Sequence, residues 1–259
     1  MLGNETKLPR VALAIRQCET IEDFDACVAL QREAFSLPDL ELSPRRHLIV
    51  TQQAGGWTLG AFAGDRLIGF VHHLVARRDM ELIGYSHMMA VAQGWQNQGV
   101  GIQLKWAQRA RALTEGVRFI KWTWDPMQAR NAHFNLNRLG VVVRSYATNF
   151  YGTDYLPQAG YGDKPLGLDS DRLFAEWDLE APYVEALVSG EATTRRSQPV
   201  MAIEIPAQWN ILLGNNTAAT RTEQLRLRTE FNEALEQGLV CAGFQRDTIR
   251  PRYLFYENV

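Results

Sequence analysis

The sequence has few cysteines and no long apolar run. Its three cysteines, Cys18, Cys27 and Cys241, are odd in number and form no CxxC pair, which favours a reducing, cytoplasmic location. The N-terminus lacks the basic start, apolar run and cleavage site of a signal peptide. No apolar run approaches the ~20 residues that cross a bilayer. A cytoplasmic protein without a membrane partner is therefore predicted.

The sequence also lacks an excess of charge of one sign. Its formal net charge is −2, and the arginine pairs that start at Arg45, Arg77 and Arg195 are scattered, so no nucleic-acid partner is expected. Cysteine and histidine do not cluster, and His72 and His73 are adjacent, so no metal site is predicted. The apolar fraction of 46% is typical of a globular chain with one large or two small domains.

The spacing of apolar residues predicts alternating strands and helices. Thr20 begins a helix as its N-cap, and Gly140 ends another. A change to period two predicts an antiparallel meander of three strands, at 57–62, 67–75 and 82–91. The other predicted elements up to residue 150 are strands at 11–16, 118–124 and 141–146 and helices at 20–34, 45–53, 99–114 and 129–139.

The last third of the chain is less regular. The sequence predicts a long loop at 149–170, a strand at 172–178, a helix at 182–188 and a linker in the polar run 190–198. A β-α-β-β set is predicted to follow, with strands at 201–205, 241–245 and 253–256. Its helix is predicted to start at Thr220, because Thr220 and Glu223 form a capping box.

A turn rich in glutamine and glycine separates the third meander strand from the next helix. Its sequence is Gln96-Asn97-Gln98-Gly99-Val100-Gly101. Glycines allow close approach of a ligand, and the free N–H groups of a helix start bind phosphate. A Walker A loop is excluded because Val100 and Gly101 stand where Lys and Ser or Thr are needed. A dinucleotide fingerprint requires a third glycine where Leu104 stands, and a parallel sheet.

At these six residues the chain resembles the GNAT acyltransferase superfamily, whose pyrophosphate-binding motif has this pattern between an antiparallel strand and a helix. The predicted element order is similar to the GNAT order over residues 10–150. The resemblance implies an α/β (α+β) fold with a mixed, mostly antiparallel central sheet flanked by helices. Residues 151–259 then form a C-terminal β-α-β-β extension, which could be a partial half-repeat. The run 124–140 resembles a little-characterised bacterial subgroup with such an extension.

The resemblance implies acetyl-CoA or another acyl-CoA as co-substrate, with no metal. The amides of Gln98, Gly99, Val100, Gly101 and Ile102 would hold the pyrophosphate, with Gln96 and Asn97 flanking. Met89, Ala90 and Val91 would pair with the pantetheine arm, and Asn131 would reach the pantetheine or acetyl group. The structural alternatives are a glycine turn without a ligand and a helix cap at Asn131.

An acyl transfer to an amine needs a base, donors for the oxyanion and an acid for the thiolate. The family's base position falls at Tyr85, and alternation places His87 on the same face, together with Met89 and Val91. We expect His87 to be the base, since its unperturbed pKa of ~6.5 suits that role; alternatively it is a packed polar residue. Leu136 stands where a tyrosine acid is usual, which leaves water or the following neighbours as the acid: His133, Asn135 and Tyr146.

The acceptor is the least defined part of the prediction. Trp122 and Trp124 either pack in the core or line an acceptor pocket, and Asp125 and Asp154 would suit a cationic amine. We predict an N-acyltransferase that transfers directly to a small-molecule amine. The alternative is a weakly catalytic or non-catalytic acyl-CoA-binding module. The sequence leaves the acceptor, the acyl chain and a homo-oligomer open.

Overall fold

The structure is a computed structural model that describes residues 13–35, 39–155, 166–191, 198–215 and 217–257. Parts of the predicted N-terminal strand, of the loop at 149–170 and of the linker at 190–198 lie outside these residues. Within them the chain forms two sheets flanked by helices. None of the helices in these ranges is long and apolar enough to cross a membrane.

The larger sheet has seven strands in the order β1-β2-β3-β4-β5-β7-β6. All neighbours are antiparallel except the parallel pair of β4 and β5, which confirms the predicted mixed, mostly antiparallel sheet. Its strands are β1 (Leu13–Gln17), β2 (Trp57–Ala63), β3 (Arg66–Arg78), β4 (Glu81–Val91), β5 (Phe119–Trp124), β6 (Tyr146–Ala147) and β7 (Arg172–Asp178).

Helices cover both faces of the first half of this sheet. The first two, α1 (Ile21–Phe35) and α2 (Arg45–Gln53), pack on one face around Phe70, and α3 (Val100–Thr114) packs on the other around Val71. The start of α1 is as predicted, because the Asp23 amide donates to the Thr20 hydroxyl at 3.1 Å. Adjacent residues of β3 thus serve two separate apolar clusters, as the pleat requires.

The C-terminal part forms a second sheet in the order β8-β10-β9, all antiparallel. The predicted helix start at Thr220 is wrong. The helix begins three residues earlier, and the buried Thr220 hydroxyl donates to the Leu212 carbonyl at 3.2 Å in the preceding helix. The elements are α5 (Pro182–Ser189), β8 (Met201–Glu204), α6 (Trp209–Asn215), α7 (Thr217–Glu236), β9 (Leu239–Gln245) and β10 (Arg252–Glu257).

The two sheets are joined through the chain that follows β5. There α4 (Ala129–His133) continues into a π-helical turn (Phe134–Arg138). The Phe244 amide of β9 donates to the Asn137 side chain at 2.9 Å, and Val143 bridges Cys241. The predicted strand at 141–146 is therefore two bridges and the short β6. The predicted division near residue 150 stays a prediction; β7, which follows that point in the chain, pairs within the larger sheet.

One buried lysine lies beneath β4. The Lys105 Nζ of α3 donates to Ser86 Oγ at 2.8 Å and Gln108 Oε1 at 2.9 Å, and it lies 3.8 Å from the ring centre of Trp122. No carboxylate of a described residue pairs with it. Burial lowers the pKa of Lys105 well below its ordinary value.

This lowered pKa predicts a pH-dependent stability. The unfolded lysine keeps a pKa near ~10.4, so the unfolded state binds more protons and the free energy of unfolding rises with pH up to that value. Urea denaturation at pH 7 and pH 9 is expected to show Lys105→Met losing this rise, up to about 1.4 kcal/mol per pH unit. Lys121→Met, on β5, is the control and keeps the wild-type slope. Equal slopes in all three proteins would contradict the prediction.

Candidate functional site

A cleft of about 860 Å³ opens between the end of β4, the glycine turn and α4. Gln98 does not line it, and its side chain donates to the Gly94 carbonyl at 2.7 Å. The other residues that the sequence nominated for the cofactor all line this cleft: Met89, Ala90, Val91, Gln96, Asn97, Gly99, Val100, Gly101, Ile102 and Asn131.

The glycine turn exposes main-chain donors to the cleft. Asn97 and Gly99 both have positive φ, 61° and 85°, a conformation that glycine adopts without strain and asparagine tolerates. The Gln103 amide makes the first helical hydrogen bond, to the Gly99 carbonyl at 3.2 Å, so the preceding amides of α3 have no helical acceptor. The first turn of α3 contains no acidic residue. This end of the cleft therefore favours an anion.

The other end of the cleft lies where the two parallel strands separate. Only Gly84 and Tyr85 of β4 pair with β5. From Ser86 onward the edge of β4 that faces β5 has no strand partner, although the Gln96 side chain donates to the Val91 carbonyl at 3.1 Å. Main-chain groups at Met89 and Val91 thus border a gap that an extended ligand can enter as an additional strand.

A β-bulge at His87 changes the direction of the β4 side chains. His72 pairs with Met88 but His73 pairs with Ser86, so His87 is the extra residue. Ser86 accordingly contacts Lys105 on the α3 face, whereas His87 contacts Ser43 on the α2 face. The prediction that Tyr85 and His87 share a face with Met89 and Val91 is wrong, because the extra residue reverses the alternation. Tyr85 and His87 remain together on the α2 face.

His87 lies in a group of three histidines. Its ring centre is 5.6 Å from that of His47 and 6.0 Å from that of His72, and its Nε2 lies 3.1 Å from Ser43 Oγ. Desolvation and the nearby His47 lower the pKa of His87 below 6.5, so its ring is neutral at neutral pH and able to accept a proton. Among the described residues no group of His, Cys, Asp and Glu is arranged to hold a metal ion.

Aromatic side chains adjoin His87 on the α2 face. Tyr85 lies near Thr123 and Tyr151, whose hydroxyl groups are 3.4 Å apart, and burial raises the pKa of Tyr85, so the phenol keeps its proton and acts as a donor rather than a base. Tyr151 packs on Tyr155 with ring centres 4.7 Å apart. Burial and the nearby Glu41 raise the pKa of Tyr155. We call Tyr85, Tyr151 and Tyr155 the tyrosine wall.

The candidates for a general acid differ in position. Leu136 is fully buried, and Asn135 is buried as well. The Tyr146 hydroxyl donates to Asp171 at 2.6 Å, which commits it to that carboxylate. His133 lines the cleft, but desolvation and the nearby Arg246 and Arg138 lower its pKa. If a thiolate departs in this cleft, its proton is therefore most readily supplied by water.

The tryptophans and carboxylates nominated for an acceptor serve the core and the loops instead. Trp122 is buried against Trp177, with ring centres 5.7 Å apart. Trp124 is buried too, and its indole N–H donates to Tyr253 at 3.4 Å. Asp125 accepts the Met127 amide at 2.9 Å. Asp154 accepts the amides of residues 166 and 167 at 2.7 Å each.

Three arginines of the cleft were not predicted from the sequence. Arg130, Arg138 and Arg246 line it, and Arg130 donates to Gln96 Oε1 at 2.9 Å. Arg130 had a recognisable signal, since it directly precedes Asn131 at the start of the helix facing the glycine turn. Arg246 had none, because its position depends on how the C-terminal sheet packs.

Known structures share this architecture. A GNAT-family protein from Desulfovibrio desulfuricans matches with a TM-score of 0.51 at 18% identity, covering 65% of this chain and 99% of its own. The ribosomal-protein-S18-alanine N-acetyltransferase of Escherichia coli matches with a TM-score of 0.51 at 13% identity, covering 72% and 99%. An N-acetyltransferase from Staphylococcus aureus Mu50 matches with a TM-score of 0.51 at 15% identity, covering 65% and 99%. No protein-family model and no curated protein matches the sequence.

Proposed function

From the GNAT fold that this chain has, we propose that it is an acyl-CoA-dependent N-acyltransferase with acetyl-CoA as co-substrate. The observation that carries the proposal is the cleft in which the free amides of α3 meet the unpaired edge of β4. A diphosphate suits the amides, and an extended pantetheine arm suits the strand edge. Both chemical groups occur in coenzyme A, in which the diphosphate is joined directly to the pantetheine arm.

Different residues of the cleft bind different parts of the cofactor. The amides of Gly99 to Ile102 receive the diphosphate, with Gln96 and Asn97 beside it. Because the Val91 carbonyl already accepts the Gln96 side chain, Met89 and the Val91 amide supply the main-chain partners of the pantetheine, while the main chain of Ala90 faces β3. Asn131 lies on the opposite wall of the cleft and offers an amide to the same arm.

The chemistry proceeds by direct transfer. Neutral His87 takes a proton as the amine nitrogen attacks the thioester carbonyl, and free N–H groups of β4 stabilise the oxyanion. Collapse of the intermediate breaks the carbon–sulfur bond, gives the amide and releases the coenzyme A thiolate, which water protonates. An acyl-cysteine intermediate has no support, since Cys18, Cys27 and Cys241 are buried outside the cleft.

The α2 face supplies a site for a small-molecule amine. Tyr85, beside His87, belongs to the tyrosine wall, whose exposed member Tyr151 offers an apolar ring with a polar edge. Glu41 lies close enough to Tyr155 to raise its pKa and is positioned to attract a cationic amine. The proposed acceptor is therefore an amine with an aromatic or apolar part, handled in the cytoplasm.

A second candidate function is acyl-CoA binding without efficient transfer. It is favoured by Leu136, an apolar and fully buried residue where the family's tyrosine acid would stand. In that case the cleft would serve as a sensor or carrier site. Measuring thiol release from acetyl-CoA over a panel of amines separates the two functions, because a binding module releases no thiol above the uncatalysed rate.

The first test is thermal unfolding with and without acetyl-CoA. A ligand at about 100 times its Kd stabilises the folded state by about 2.7 kcal/mol, which for a chain of this size raises Tm by about 5 °C or more. Pantetheine, which lacks the diphosphate, is the control and is expected to shift Tm far less. An unchanged Tm at millimolar acetyl-CoA would contradict both candidate functions.

A further inference from the structure

The C-terminal sheet contributes a positively charged side chain, Arg246, to the cleft. Arg246 directly follows β9 and lines the cleft together with Arg138 from the π-helical turn. The distance between these two residues along the chain is 108 positions, so only the packing of the second sheet makes them neighbours. This contribution lies outside the glycine turn and the strand edge, which handle the diphosphate and the pantetheine.

The position of Arg246 is fixed by contacts of β9. The Phe244 amide, two residues earlier, donates to the Asn137 side chain at 2.9 Å, and Cys241 bridges Val143. Phe244 itself is buried among the aromatic rings of the second sheet, 5.0 Å from the ring centre of Tyr253. The end of β9 is thus attached to the turn that holds Arg138.

The two guanidinium groups have no acidic partner among the described residues. Neither Arg138 nor Arg246 takes part in an ion pair or side-chain hydrogen bond there, in contrast to Arg226 and Arg228 on α7. The adjacent Asp247 accepts the amides of Ile249 and Arg250, so its carboxylate is engaged in the following turn. Both arginines lower the pKa of His133, a further sign of positive potential in the cleft.

We propose that Arg246, with Arg138, forms a subsite for the 3′-phosphate of acyl-CoA, so that the C-terminal extension is part of the cofactor site. This inference rests on the proposed function. The diphosphate is bound at the start of α3, which leaves the separate phosphomonoester on the ribose for other cations. Arginine recognises such a group through paired N–H donors, and two guanidinium groups that line the cleft near His133, with no carboxylate partner among the described residues, give it a place.

The experiment measures the Kd of acetyl-CoA and of 3′-dephospho-acetyl-CoA by titration calorimetry. Wild type is expected to prefer acetyl-CoA by about ten-fold, in line with a charge-assisted hydrogen bond. Arg246→Ala is expected to reduce that preference to about two-fold and to leave the affinity for the dephospho form unchanged. Arg250→Ala is the matched control, because it lies on the same β9–β10 turn but does not line the cleft.

The outcomes separate this inference from the proposed function. Equal affinity of wild type for the two nucleotides, or an Arg246→Ala variant that keeps the full preference, would overturn the subsite. Binding of neither nucleotide would overturn the proposed function and the subsite with it. Because Arg246 is exposed, its replacement by alanine is not expected to lower Tm. An unchanged Tm then shows that a lost preference for acetyl-CoA over its dephospho form results from the missing side chain and not from a destabilised fold.

Discussion

Replacing His87 by alanine is expected to lower kcat about 100-fold or more while leaving the Kd of acetyl-CoA unchanged. The loss corresponds to removing a general base, and the Kd is unaffected because His87 is not among the residues that line the cofactor cleft. Single-turnover kinetics with a saturating amine, combined with calorimetry of cofactor binding, measures the two quantities separately.

The pH profile distinguishes a base from a packing residue. The pKa of His87 is lowered below 6.5 by desolvation and by His47, so the ring is unprotonated at pH 7 and kcat falls only when the pH drops through that lower value. The alanine variant loses this acidic limb. His87→Gln keeps a polar contact to Ser43 without proton transfer, and full activity in that variant would remove the assignment.

Replacing Gly101 by aspartate is expected to weaken acetyl-CoA binding at least 100-fold without destabilising the fold. A carboxylate in the first turn of α3 repels the diphosphate, yet it interacts favourably with the helix dipole. A Cβ added at Gly101 meets its nearest neighbour, Met89 Cε, at 3.5 Å, an ordinary contact. The expected signature is an unchanged or raised Tm that acetyl-CoA no longer increases.

Two further variants test this expectation. Gly101→Ala adds the Cβ without the charge and is expected to weaken binding much less than the aspartate. Ala110→Glu makes the same change in charge on the same helix, at an exposed residue that does not line the cleft. If aspartate at 101 and glutamate at 110 had the same effect, the first turn of α3 would not be the anion site.

The glycine turn could be predicted because its information is local. The glycines at 99 and 101, the strand before them and the amphipathic helix after them are all recognisable within about fifteen residues of sequence. The residues nominated there come together in one cleft, with Gln98 as the exception. The predicted fold class is likewise confirmed, since the order of strands and helices determines most of the sheet.

The features that escaped prediction depend on pairing over long distances. The bulge at His87 is a matter of register between β3 and β4, and the alternation of polar and apolar residues in β4 alone does not indicate it. Thr220 resembles a helix cap in sequence, but its hydroxyl is used by the preceding helix. Arg246 gives no local signal at all.

The tryptophans of β5 show a related difficulty. Alternation placed Trp122 and Trp124 on one face but did not tell a pocket from a core, because the burying partners come later in the chain. Trp177 of β7 covers Trp122, and Tyr253 of β10 contacts Trp124. Both partners lie beyond the stretch that the family resemblance covered.

The contact between Trp124 and Tyr253 also bears on how the chain reaches its native state. These two residues are 129 positions apart, and the apolar cluster that contains them extends from Ala112 to Phe255. Closing loops of this length is entropically costly, and contacts at such separations slow folding. During synthesis the core beside the cleft cannot close until β10 has emerged, so the nascent chain exposes apolar surface until that strand has been made.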